Sequence, residues 1–284
     1  MKKILKYLSL LLPLLVALVS VFAASFIYLM VYYQSYILAA MIQLLEGNPN
    51  VTIDSLLANL PIIPEHYLDA VTILQPVVWI VIFSFWYGGR KKKEKQADIK
   101  VFWVKHLVIL AFLSLGCQLV TIGLMEMILP YFEELMQDYS ELMEIFNEGN
   151  PYIIFLSTVI LGPISEELIF RGVIFKKARL FTSFKVANFL QALLFGIFHM
   201  NIVQGIYAFG VGLVMGYVAY KYQTILMAII FHIFFNGLSY LLFSPTTGLM
   251  KVVFLFVGIL LLILTLMQID NIGKEETNTI APEV

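Results

Sequence analysis

Apolar residues run along this chain in long blocks divided by short polar stretches. A membrane-crossing helix needs about 20 mostly apolar residues. Eight blocks read as spans, roughly 7–33, 67–88, 101–129, 151–176, 184–200, 203–220, 224–243 and 251–268, with 184–200 the shortest. The pattern predicts an all-α, polytopic transmembrane helical bundle. Residues 35–64 read as a polar, Pro-containing connection, and 131–150, where Leu135, Leu142, Met143, Ile145 and Phe146 alternate with acids, as an amphipathic helix at the interface. The tail from Asp270 to Val284 is polar and is expected to be disordered.

One block breaks the pattern. In 151–176 the apolar run is interrupted by Ser165-Glu166-Glu167-Leu168-Ile169-Phe170-Arg171-Gly172. A charged side chain at the centre of a membrane helix costs about 2.5–3.5 kcal/mol on insertion scales, so such residues face a cavity or a partner and mark function. Glu167 and Arg171 are four residues apart, the spacing at which an acid and a base meet on one helix face. Glu166 lies about 100° around the helix from Glu167 and needs another partner. Gly162-Pro163 just upstream predicts a kink or break, because proline lacks the backbone donor and restricts the residue before it. Irregular backbone at membrane depth persists beside a cavity or packed protein.

Composition agrees with the spans: the 284 residues are 61% hydrophobic and 13% charged, with mean hydropathy +0.90. Soluble domains are roughly 45–50% apolar and 25% charged. The net charge of −1 and the absence of a long basic stripe give no reason to expect nucleic acid as a partner. A single cysteine, Cys117, excludes an internal disulfide and a multi-cysteine metal site. The first apolar run is too long for a secretory signal core and reads as a retained span. Basic clusters at Arg90–Lys95 and Lys176–Arg179 read as cytoplasmic, which puts both termini inside and the acidic 131–150 stretch outside. Glycines 205, 210, 212 and 216 in the sixth block, two of them in GxxxG spacing, suit close packing within one bundle.

Few other ionisable groups occur in the late blocks. His199 follows Phe195 by four residues, and Asn236 follows His232 by four, which places the imidazole and the carboxamide on one face. His66 and His106 lie outside this group, and Glu126 in the third block reads as reaching the outer surface. A carboxylate, two imidazoles and an amide from three helices can converge in one cavity.

Glu-Glu-x-x-x-Arg, Phe-x-x-x-His and His-x-x-x-Asn, in that order on successive late spans, resemble the CPBP family of intramembrane proteases, which joins CAAX-prenyl endopeptidases with bacterial proteins of bacteriocin processing and self-immunity. The resemblance covers roughly residues 150–240. It divides the chain into N-terminal spans with the acidic loop (1–150), a catalytic core (151–245), and a last span with a polar tail (246–284). It implies that Glu166 activates a water that His199 helps to hold, that His232 and Asn236 stabilise an oxyanion, and that Arg171 fixes Glu167. A general base and an amide–imidazole oxyanion hole suit that chemistry. Two histidines and a glutamate also match a zinc ligand set, so His199 and His232 are candidate metal ligands, although His-Glu-x-x-His is absent. The metal-free, glutamate-dependent site is the preferred reading. The expected substrate is a peptide or membrane protein at a bacterial plasma membrane, with the lipid bilayer as surroundings. Two other readings stand: a non-enzymatic immunity protein that binds a peptide, for which Glu166→Gln would leave the phenotype intact, and a proton-coupled transporter.

Overall fold

The computed structural model describes residues 2–46, 52, 66–90, 103–242 and 247–279. No strand occurs among them. The helices are α1 (Lys2–Leu8), α2 (Leu12–Leu45), α3 (Tyr67–Arg90), α4 (Trp103–Ile128), α5 (Glu133–Asn147), α6 (Pro151–Arg179), α7 (Phe184–Phe198), α8 (Ile202–Lys221), α9 (Ile225–Ser239) and α10 (Gly248–Thr279). Pro13 opens α2, where its missing N–H costs nothing and its fixed φ suits a first turn.

The predicted bundle is present, with corrections to its parts. The first span does not end near residue 33 but continues as helix to Leu45, because 34–45 contain no proline or glycine to stop it. Most of the expected 35–64 connection lies outside the described residues. The expected disordered tail is helical to Thr279, and its first residue, Asp270, accepts from Tyr217 Oη at 3.0 Å and pairs with Lys221. Residues 280–284 are not described. Among the described residues six helical stretches are long and apolar enough to cross a membrane, but α7 and α9 are not. Each has 15 residues, about 22 Å at 1.5 Å per residue against a hydrocarbon core of about 30 Å. The amphipathic helix is found as α5, and it packs on α8.

Lipid tails are as apolar as leucine, so such a bundle is held by close packing and interhelical hydrogen bonds rather than by exclusion of water. Phe22, Phe85 and Phe256 point outward with 69%, 80% and 69% of their surface open, as lipid-facing side chains do. The interior is built around α6, against which α3, α7 and α9 pack, and every residue from Leu168 to Phe175 is buried. Glycines bring backbones together at the seams. Gly196 of α7 and Gly205 of α8 face each other's carbonyls, Gly212 faces Phe195 and Ala192, and Gly216 faces the amides of Asn188 and Gln191. Gly116 of α4 and Gly258 of α10 form a similar seam.

Gly216→Ala tests this packing. A methyl group there overlaps the Asn188 carboxamide and comes within 2.6 Å of Gln191 Nε2, and overpacking of this kind costs about 1–3 kcal/mol. Thermal unfolding in detergent is expected to fall accordingly, whereas Gly210→Ala, with nothing within 4 Å of the new methyl, is expected to leave it unchanged.

Candidate active site

The two adjacent glutamates sit on an unusual stretch of α6. Leu156–Leu161 and Leu168–Phe175 are π-helical, and the α-helical turn Gly162–Glu167 lies between them. Wide turns of this type recur at functional sites. The expected break at Gly162-Pro163 does not occur, because the wider register absorbs the proline. Gly162 N–H bonds to the carbonyl of Ser157, five residues back. In that register the next donor would come from Pro163, which has none, so the carbonyl of Thr158 is left to another partner. Asn236 Nδ2 of α9 donates to it at 2.8 Å. Thr158 also shares a 2.8 Å hydroxyl contact with Tyr240. The proline therefore ties α6 to α9 at the level of the HxxxN motif.

The next turn holds the charges. Arg171 and Glu167 are both fully buried, with Nη1 2.7 Å from Oε1. The second Arg171 amino group donates to the carbonyl of Gly212 at 3.1 Å, which is exposed to it because residue 212 carries no side chain. Gln191 Nε2 donates to the same carbonyl at 2.9 Å and to Asn188 Oδ1 at 2.8 Å, while Asn188 Nδ2 reaches the carbonyl of Leu213 at 3.0 Å. The guanidinium carbon lies 4.7 Å above the centre of Phe195. Glu167 Oε2 and Arg171 Nε have no protein partner. A buried ion pair with unsatisfied atoms is a poor source of stability, so this pair holds a geometry.

What it holds is His232. Nδ1 of His232 lies 3.0 Å from Glu167 Oε1, and because an ionised carboxylate only accepts, Nδ1 carries the proton. The other ring nitrogen, Nε2, is 3.7 Å from Glu166 Oε2. That separation is too long for a direct hydrogen bond and is of the size a bridging water fills. The two glutamates are therefore unequal: Glu167 is sealed and twice engaged, whereas Glu166 keeps 21% of its side chain exposed. His199 stands at the end of α7, its Nδ1 held 2.8 Å from the carbonyl of Phe195. It touches neither carboxylate. It joins the group through Phe195, whose ring centre is 4.8 Å from that of His199 and 5.9 Å from that of His232.

Of the six predicted site residues, Glu166, Glu167, Arg171 and His232 are in contact; His199 approaches them only across Phe195, and Asn236 bonds to Thr158 one turn along α9 from His232. The remaining histidines lie elsewhere. His106 is buried against Tyr222 at 2.9 Å, and His66 is exposed. Glu126 pairs with Lys251 at 3.5 Å. Among the described residues no three His, Cys, Asp or Glu side chains are grouped to hold a metal ion. Asn188 and Gln191 are additions that the sequence pattern did not single out. They are the polar residues of α7 that share a face with Phe195 and His199 at helical spacing, and that phase is the signal that could have found them.

Comparison with the curated proteins gives no match, and comparison with the solved structures gives none. A family model does match: the one described as Rce1-like, type II CAAX prenyl endopeptidase Rce1-like, aligns with residues 148–238, which contain the Glu-Glu pair, the buried arginine, both site histidines and Asn236. Over those residues the chain is similar to the CAAX prenyl endopeptidases, in agreement with the resemblance that its motifs carry.

Proposed function

We propose that this protein hydrolyses a peptide bond in a membrane-associated peptide or protein, with Glu166 as the general base and no metal in the reaction. The family supports a CAAX-type intramembrane endopeptidase in general terms. The inequality of the two glutamates carries the finer reading: Glu166, partly open and 3.7 Å from His232 Nε2, is placed to polarise a water, while Glu167 is committed to Arg171 and His232.

In the proposed reaction Glu166 takes a proton from that water as its oxygen bonds to the carbonyl carbon, and the C=O π pair moves onto oxygen. The resulting oxyanion accepts hydrogen bonds from the second N–H of Asn236 Nδ2, the first being used on Thr158, and from His232 Nε2 in its protonated form. A neutral His232 with Nδ1–H on Glu167 has only a lone pair at Nε2, so the oxyanion role requires the imidazolium, for which the two carboxylates within 4 Å are the counterions. Collapse of the tetrahedral species breaks the C–N bond, and the proton held by Glu166 passes to the departing amine. His199 lies at the margin, where a substrate backbone or the water can meet its Nε2.

The test works with the substrate still unidentified. New N-termini are mapped by mass spectrometry in membranes of cells expressing the wild-type protein or Glu166→Gln, with and without a zinc chelator. Termini that appear with the wild type, persist with chelator and vanish in the variant support the proposal. Termini lost with chelator would return His199 and His232 to a metal role, and termini that persist in Glu166→Gln would remove Glu166 as the base.

A further inference from the structure

The charges of this protein are sorted between the two ends of the bundle. One end holds the start of α1, the end of α3, the start of α4, the turn from α6 to α7, the turn from α8 to α9, and the end of α10. Its parts are bound to one another: Lys177 Nζ donates to the carbonyl of Ser9 at 2.6 Å, Lys176 lies over Tyr87, Arg179 lies over Tyr220, and Phe184 stacks on Tyr220. All but two of the 18 Lys and Arg residues lie at this end or in the stretches that join it; the exceptions are Arg171 in the site and Lys251. The opposite end carries the acidic helix α5, Asp69, Glu126 and Lys251, joined by the Asp69–Asn150 hydrogen bond of 2.7 Å and the Phe155–Tyr240 ring contact. By the positive-inside rule the basic end is the cytoplasmic one.

The site is placed asymmetrically as well. Helices α7 and α9 start at the basic end and have only 15 residues each, so at about 22 Å they stop short of the far side of a core of about 30 Å. His199 is the residue at which α7 stops, and Asn236 is in the last turn of α9. Tyr207, in the second turn of α8, interacts electrostatically with Glu166 and meets Tyr139 of the acidic helix α5. His199 and Asn236, at the ends of these two helices, therefore mark the side of the site that lies toward the acidic end, and Glu166 meets Tyr207 on that side. Toward the basic end the site is closed by Leu168–Phe175, every residue of which is buried.

We infer that the active site opens to the extracytoplasmic side of the membrane, so that its substrate is the extracytoplasmic juxtamembrane segment of a membrane-anchored polypeptide rather than a cytoplasmic lipidated C-terminus. This deepens the proposed function and rests on its assignment of Glu166 and His232.

The test reads topology without proteolysis, so its failure is distinct from failure of the catalytic reading. Cys117 is buried, 4% exposed, and is first replaced by alanine. Single cysteines are then introduced by Gln137→Cys on α5, Met200→Cys beside His199 and Leu180→Cys at the basic end, where Met200 and Leu180 are 86% and 81% exposed. Intact cells are treated with a membrane-impermeant maleimide, and detergent-solubilised samples establish full labelling of each variant. The expected result is labelling at 137 and 200 and complete loss of labelling at 180. Labelling at 180 in intact cells would overturn the orientation. Labelling at 137 without 200 would overturn the opening of the site toward that side, and the same result with Ile202→Cys, at the start of α8 and 61% exposed, guards against a local defect at 200.

Discussion

Glu166→Gln is expected to lower turnover of any cleaved substrate by about 10²–10⁴-fold, the contribution of a positioned general base, while leaving the bundle intact. The side chain is 21% exposed and its nearest charged neighbour, His232 Nε2, is 3.7 Å away, so an amide fits without opening a cavity or stranding a buried charge. Steady-state cleavage measured beside thermal unfolding in detergent separates the two effects. The prediction is a large fall in kcat with melting displaced by no more than about 0.5 kcal/mol equivalent, as for substitutions away from buried networks. A variant that retains activity within tenfold of the wild type would place the base elsewhere.

Arg171→Met is expected to have the largest effect on stability, about 3–5 kcal/mol, because it strands the carboxylate of Glu167 in a fully buried position. The physical reason is the asymmetry of ion-pair burial: removing one charge leaves the desolvation of the other uncompensated, whereas removing both does not. The double variant Arg171→Met with Glu167→Met is therefore expected to recover most of the lost melting temperature. It should not recover cleavage, since His232 Nδ1 then loses the acceptor 3.0 Å away that fixes its ring. Equal melting of the single and double variants would show that Glu167 does not depend on Arg171, and an active double variant would show that His232 needs no orientation from Glu167.

Much of this protein is legible in the order of its residues alone. The four-residue separation of Glu167 and Arg171 gave the salt bridge, the scarcity of ionisable residues in apolar blocks singled out Glu166, His199 and His232, and Asn236 stood out by following His232 at four-residue spacing. The acid-and-apolar alternation of 131–150 gave α5. Less is legible where local composition and local structure part. Residues 34–45 resemble a polar turn because they hold Gln34, Ser35 and Gln43, yet nothing in them interrupts a helix. The polar tail likewise stays helical past Asp270, whose carboxylate Tyr217 and Lys221 engage across 53 and 49 residues of sequence. Gly162-Pro163 reads as a break when a missing donor is counted against an α-helical register; a π register moves the vacancy to the carbonyl of Thr158, and Asn236 fills it.

The sequence by itself determined the spans, the cation-rich and acid-rich stretches, and which side chains are too costly at membrane depth to be idle, since these follow from transfer energies and fixed spacing along a helix. Only the tertiary structure decided that His232 Nδ1 completes the lock on Glu167 and that Glu166 stays partly open. Adjacent positions on α6 differ by about 100° in direction, and the packing of α7 and α9 against that helix seals one direction with Arg171 and His232 and leaves the other partly exposed.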